Sequence, residues 1–276
     1  MFVTLTYRDQ DLPWSGSLQK DAITLFVRRL KKHLKSNKRI RYFGCGEYGD
    51  KNERPHYHVL IFGHTFPDAE LWKETDQGNR LYISPTLEKL WPYGMSNFGA
   101  VTYQSAAYTA RYIMKKINGE KAEEHYKTDL EQLDQETGEL TPVMREPEFV
   151  VASRRPGLGY QWIEKYWQDV YPWDHVIHDG KQHPVPRYYD KWLESHHPKV
   201  MQYVREQREQ FAQDHEYDYT KERLADREYC KFVQLERLKR ELDNDSKDLQ
   251  HSRPSSRRLP TAVFHAHGRH RDPDLR

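Results

Sequence analysis

The sequence predicts an α+β protein: a central antiparallel sheet flanked by helices, followed by a helical C-terminal extension. Three observations predict it. Over the first 170 residues, short β-branched and aromatic runs are interspersed with helical patterns. Two such runs, 39–47 and 56–63, are joined by so short a link that they should pair antiparallel. From about 188 to 243 the pattern is helical and highly charged.

The elements follow in order. Phe2-Val3-Thr4-Leu5-Thr6-Tyr7 reads as the first strand. Pro13 and Gly16 break the chain, and Ser17 is placed to cap a helix from about 18 to 35. Leu18, Ala22, Phe26, Leu30 and Leu34 form its apolar stripe, with Ile23 and Val27 beside them. Between the paired strands, Gly49-Asp50-Lys51-Asn52 is turn chemistry. Residues 64–95 are harder to read; a short strand is expected near 80–83 and a short helix near 86–91. A strand at 98–103 precedes a helix at 104–117, which is Ala-rich, free of Gly and Pro, and ended by Asn118-Gly119. The stretch 119–147 is expected to be a loop or insertion. A strand at 148–153, a helix at 159–170 and a hairpin around Asp179-Gly180 complete the pattern. The division expected is a first domain over 1–170, a mostly helical extension over 171–243 and a disordered tail over 244–276.

Composition narrows the class. Of 276 residues, 36% are hydrophobic and 31% charged, so the core is modest and much of the chain is solvated. The net charge of +2 selects no partner, but its distribution does. Arg28 to Arg41 holds eight Lys/Arg and no acid, a block able to neutralise phosphates and release counterions. Between Asn118 and Glu148 the balance reverses, with ten acids against three bases. Either run also reads as a solvated face on charge alone. Two cysteines, Cys45 and Cys230, are too few for a disulfide framework or a structural zinc site and suggest a reducing cytosol. No run of 18 apolar residues exists to span a membrane, and the N-terminus has no signal-peptide pattern.

Two clusters carry chemistry. Side chains alternate faces along a strand, so His56 and His58 share a face with Leu60 and Phe62, while Tyr57, Val59 and Ile61 point the other way. Two imidazoles so placed can hold one divalent cation, and Glu47, at the end of the neighbouring strand, can supply a third ligand. This donor set favours Mn²⁺, Zn²⁺ or Co²⁺ on softness; substrate phosphate and water keep Mg²⁺ usable. The bland alternative is a pair of hydrogen-bonded structural histidines. Further on, Tyr108, Arg111, Tyr112 and Lys115 share one helix face, each phenol followed three residues later by a cation. A phenol has a pKa near 10, and a nearby cation or metal favours the nucleophilic phenolate. The bland alternative is an amphipathic helix with its hydroxyls at the rim. The 19 Tyr and 7 Trp offer stacking platforms for unpaired bases, although most will be core or rim.

Together these motifs resemble the HUH endonucleases, and within them the replication initiators of small single-stranded DNA phages (microviruses, gokushovirus-like). Phe2 to Tyr7 looks like the first strand motif. Gly46-Glu47-Tyr48-Gly49 with Arg54-Pro55-His56-Tyr57-His58 looks like the metal motif, and Tyr108 to Lys115 like the two-tyrosine motif. Ser153-Arg154-Arg155-Pro156-Gly157-Leu158-Gly159 resembles a further stretch of these phage proteins. The resemblance implies a metal-dependent (Mg²⁺ or Mn²⁺) DNA nickase that starts rolling-circle replication, with the tyrosine helix packed beside the histidines. It implies Glu47, His56 and His58 as metal ligands. Tyr108 and Tyr112 would be alternating nucleophiles, assisted by Arg111 and Lys115. Arg28, Arg29, Lys32, Lys35, Arg54, Arg154 and Arg155 are the candidate DNA contacts. The expected partners are single-stranded DNA at a replication origin and a host helicase and polymerase, in the bacterial host's cytoplasm, since no Gly-x-x-x-x-Gly-Lys-Ser/Thr loop is present. Family members usually carry a cysteine-containing segment before the first strand. Here Met1 begins at that strand, so either a shortened reading frame or a member lacking that element is expected. Two alternatives are another HUH enzyme (a plasmid initiator, relaxase or transposase) and a non-enzymatic single-strand-binding protein. Relaxases usually carry three histidines, where this chain has Glu47.

Overall fold

A computed structural model describes residues 1–35, 39–49, 52–75, 78–111, 116–133 and 138–234. Its centre is a seven-stranded sheet: β1 (Phe2–Thr6), β2 (Arg41–Tyr48), β3 (Pro55–Phe62), β4 (Glu70–Glu74), β5 (Arg80–Ile83), β6 (Ser96–Gly99) and β9 (Phe149–Ala152). The spatial order is β4-β5-β6-β1-β3-β2-β9, with every neighbouring pair antiparallel. The protein is α+β, as the sequence predicts.

Alternation along the strands divides the sheet into two faces. Val3, Leu5, Tyr57, Val59 and Ile61 belong to the main core. On them lie α1 (Ala22–Leu34), through Ile23, Phe26, Val27 and Leu30, and α2 (Pro85–Leu90), through Leu87 and Leu90. α1 approaches closely because β2 carries glycines beneath it. A Cβ on Gly44 would come within 3.1 Å of Ile23, and one on Gly46 within 2.8 Å of Phe149. The opposite face presents His56, His58 and Thr4. α3 (Tyr103–Arg111) covers part of it.

Several boundaries differ from expectation for local reasons. α1 starts at Ala22, not near 18, and has no side-chain cap. Ser17 instead accepts a hydrogen bond from the Glu146 amide at 2.8 Å, and Leu18 is buried ahead of the helix. β6 ends at Gly99 because Thr102 serves the next helix: Ser105 N donates to Thr102 Oγ1 and Thr102 N to Ser105 Oγ. This reciprocal pair resembles a capping box. β4 has no counterpart among the expected elements; it pairs with β5 across a bulge between Leu71 and Lys73.

The acidic segment is a structured insertion. It holds α4 (Lys121–Tyr126) and a hairpin of β7 (Lys127–Leu133) and β8 (Leu140–Met144). Tyr126 fastens it, buried, donating to Glu148 Oε2 at 2.5 Å and accepting from Ile117 N at 3.0 Å. The two strands are mostly solvated, and a solvated charged strand has the same composition as a loop, so composition alone points to a loop.

A second cluster of apolar residues is built from α5 (Tyr160–Val170), α6 (Arg187–His196) and α7 (Pro198–Asp214). The boundary expected at 170 falls at the end of α5, whose Ile163 and Val170 pack within this second cluster. The predicted hairpin is β10 (His175–His178) and β11 (Lys181–Pro184), turning through Asp179 and Gly180, both at positive φ. Arg208 joins these parts, donating to Asp174 at 2.6 Å and to Asp190 at 3.0 Å. Helix resumes at 221–234. The tail expected at 244–276 lies outside the described residues.

Candidate metal centre and tyrosine helix

The register of three strands assembles the centre. Glu47 lies directly opposite His56 across β2 and β3, and His58 pairs with Cys45 on one side and Thr4 on the other. Glu47 Oε1 lies 2.7 Å from His56 Nε2 and 3.1 Å from His58 Nε2. One ligand atom from each residue lies within 4.8 Å of the others. Glu47 and His58 are buried, while His56 reaches the surface.

Hydrogen bonding fixes what each ring nitrogen can do. His56 Nδ1 lies 3.0 Å from the Arg54 carbonyl, which can only accept, so Nδ1 carries the proton. In neutral His56 the lone pair is therefore on Nε2, the atom facing Glu47. His58 Nδ1 lies 3.1 Å from Thr4 Oγ1, again leaving Nε2 toward the carboxylate. Such partners orient an imidazole for metal ligation. A carboxylate and two imidazole lone pairs converging on one point need a cation, either a proton or a metal ion, between them. Burial by itself pushes the Glu47 carboxyl up, but the charge and hydrogen bonds of His56 and His58 outweigh it and hold the pKa at about 2. Glu47, His56 and His58 thus form a group able to hold a metal ion.

The tyrosine helix lies against this centre. The buried Tyr108 ring meets His58 edge-on, with centroids 5.4 Å apart, and meets Phe2 at 6.2 Å. Phe2 in turn stacks on His58 at 5.3 Å. Arg111 borders the same groove, and its buried Nε has no hydrogen-bond partner among the described residues. Tyr112 and Lys115 lie outside the described residues.

The remaining candidates are dispersed. Arg28, Arg29, Lys32 and Lys35 belong to α1 or its C-cap, on the face of the sheet opposite the histidines. Arg29 is engaged with Tyr93, donating to its hydroxyl at 3.2 Å with the guanidinium 5.3 Å from the ring centroid. Arg54 ties two strand ends together, bonding the Tyr7 carbonyl at 2.8 Å and Asp9 at 2.7 Å. Arg154 and Arg155 are exposed beyond β9. Sequence reasoning missed Thr4 as the group orienting His58. The signal was present in its alternation with Phe2 and Thr6, but the register bringing Thr4 opposite His58 could not be read.

A groove of about 840 Å³ opens from the centre along this face. Its floor is β1, β6 and β5, and its walls are α3 and the β4–β5 hairpin.

A carboxylate–imidazole cluster on an antiparallel sheet, with a tyrosine helix beside it, is the arrangement that the motif resemblance implied. Residues 1–117 match the replication-associated protein ORF2 family, and over them the chain belongs to that family. The chain is 36% identical over 211 residues to the replication-associated protein VP4 of Bdellovibrio phage phiMH2K, covering 74% of this chain and 61% of that protein. It is 28% identical over 223 residues to the replication-associated protein ORF2 of Spiroplasma virus 4, covering 76% and 63%. Against the replication-associated protein ORF4 of Chlamydia phage 1 it is 34% identical over 120 residues, covering 41% and 30%. The chain therefore spans less than two thirds of the length of these relatives. No solved structure matches it.

Proposed function

We propose that this chain is the replication initiator of a small single-stranded DNA phage and nicks origin DNA through a tyrosine. The observation that carries the reading is the contact between the Tyr108 ring and His58, which puts a phenol beside the Glu47–His56–His58 group. Glu47, His56 and His58 would hold Mg²⁺ or Mn²⁺; when bound, the ion polarises the scissile phosphate and favours phenolate.

The step is a transesterification. The Tyr108 hydroxyl loses its proton, its oxygen bonds to phosphorus, and the bond from phosphorus to the 3′-oxygen breaks. The departing oxygen takes up a proton and leaves as a 3′-hydroxyl; the 5′-phosphate stays on the tyrosine. The linkage energy is kept in the phosphotyrosine, so a later 3′-hydroxyl can reverse the step and close a circle. Arg111 is placed to stabilise negative charge on the phosphate. Tyr112 is the second nucleophile of this reading and Lys115 its cation. The solvated α1 cations, with Arg54, Arg154 and Arg155, contribute at most peripheral phosphate contacts. Among the described residues no helix is long and apolar enough to cross a membrane. The place of action in this reading is the host cytoplasm, with a host helicase and polymerase supplying unwinding and synthesis.

The test uses single-stranded oligonucleotides tiling the cognate genome. Incubation with Mn²⁺ followed by a denaturing gel should show a protein–DNA adduct with one origin-containing strand. No adduct with any strand would refute the nickase.

A further inference from the structure

We infer that Asn97 reads a nucleobase beside the scissile phosphate, an assignment resting on the nicking reading above. Asn97 lies in β6, paired with Thr4, which is itself paired with His58. The three side chains form one row across the same face. At roughly 4.8 Å per strand, Asn97 stands about 10 Å from His58, comparable with the reach of one nucleotide from phosphate to base edge.

Its state is unusual. Asn97 is only 4% exposed and lines the groove, yet its carboxamide has no hydrogen-bond partner among the described residues. Thr4, the nearest polar neighbour in the row, is engaged with His58. A buried amide left unpaired is costly, so the carboxamide is held ready for a partner entering the groove. It offers a donor and an acceptor side by side, the pattern that pairs with a base edge in a bidentate manner. An unstacked base in single-stranded DNA exposes such an edge.

The surroundings suit a nucleotide. Gly99, two residues along the same face, has no side chain to fill the floor. Arg80 and Lys73 on the β4–β5 hairpin and Arg111 on α3 border the groove with positive charge. At about 840 Å³, the groove is within the size range of small-ligand clefts and has no room for a duplex. Arg111 adds a second group poised for a ligand, because its buried Nε is unsatisfied among the described residues.

The experiment uses the full chain with Mn²⁺ and a library of the nicked oligonucleotide, randomised at each position flanking the nick. DNA recovered from adducts is sequenced. Wild-type protein should prefer one base at one position within two nucleotides of the nick. Asn97→Ala should flatten that position alone by roughly tenfold, the discrimination expected of one bidentate pair, with Mn²⁺ affinity unchanged. The isosteric Asn97→Asp, which keeps acceptors but loses the donors, should shift the preference toward cytosine. An Asn97→Ala profile superimposable on the wild type, or flattened evenly at all positions, overturns the assignment. If Asn97→Ala fails to fold, Asn97→Asp decides alone: an unchanged profile refutes. If wild-type protein forms no adduct, the nicking reading fails. Filter retention of the same library then tests Asn97 separately, and equal position profiles for wild type and variant overturn it.

Discussion

The two faces of one sheet are built by the same strands and do opposite work. On β3, Tyr57, Val59 and Ile61 face α1 and are closed off completely, whereas His56, His58 and Leu60 face the side that α3 only partly covers. The first face is apolar and dry. The second holds a carboxylate, two imidazoles, a threonine and an asparagine around an open groove. The lesson is that period-two alternation assigns stability and chemistry to alternate residues, so neighbours in sequence should respond to mutation in different ways.

The largest expected effect is on the groove face. Changing both Tyr108 and Tyr112 to Phe should abolish adduct formation, while each single change leaves partial nicking. Circular dichroism should show the fold retained, since only hydroxyl groups are lost. Full activity in the double variant would remove both residues from the chemistry. Next, His58→Ala should lose Mn²⁺-dependent cleavage while keeping salt-sensitive DNA binding, measured by anisotropy across a salt series. Equal cleavage with and without a chelator would sever the face from metal chemistry.

On the dry face the response should be thermodynamic. Ile61 is 1% exposed, and Ile61→Ala should destabilise the fold by about 2–5 kcal/mol, read from urea unfolding. Metal affinity, measured at a temperature where the variant is folded, should not change. A comparable loss of metal affinity would show that the faces are not separable. Thr4→Val is subtler. It removes the oxygen that orients His58 and should weaken Mn²⁺ binding by about tenfold by calorimetry, with little change in unfolding. The smallest effect is expected from Arg28→Ala with Lys32→Ala, on the far face from the groove. DNA affinity should fall at most a few-fold and the salt dependence only slightly. A loss as large as that from mutating Arg111 would move the DNA path to α1.

Much of this division was legible in the sequence. The strands at Phe2 to Tyr7, 39–47 and 56–63 have strong β-branched or aromatic patterns, and a short turn constrains the pairing of the last two. That pairing alone places Glu47 near His56 and His58. Tyr108 was legible as a candidate through its helical spacing from Arg111, although its contact with His58 was not. Less legible were features that depend on long-range register. Thr4 and Asn97 come beside His58 because β1 lies between β3 and β6, and no local pattern encodes that order. β4 was hidden because its exposed residues Glu70, Leu71 and Glu74 show little alternation, with the bulge after Leu71 shifting the register. The basic block misled in a different manner. Its charge suggested a DNA contact, yet α1's apolar stripe binds it to the dry face.

The central claim is that the polar face joins a metal-binding group to a tyrosine nucleophile. Its most direct test is peptide mapping of the protein–DNA adduct by mass spectrometry, with and without chelator. The account predicts a 5′-phosphate attached to Tyr108 or Tyr112, formed only with Mn²⁺ or Mg²⁺ present. A phosphate attached to any other residue, or an adduct that forms equally in chelator, would contradict it.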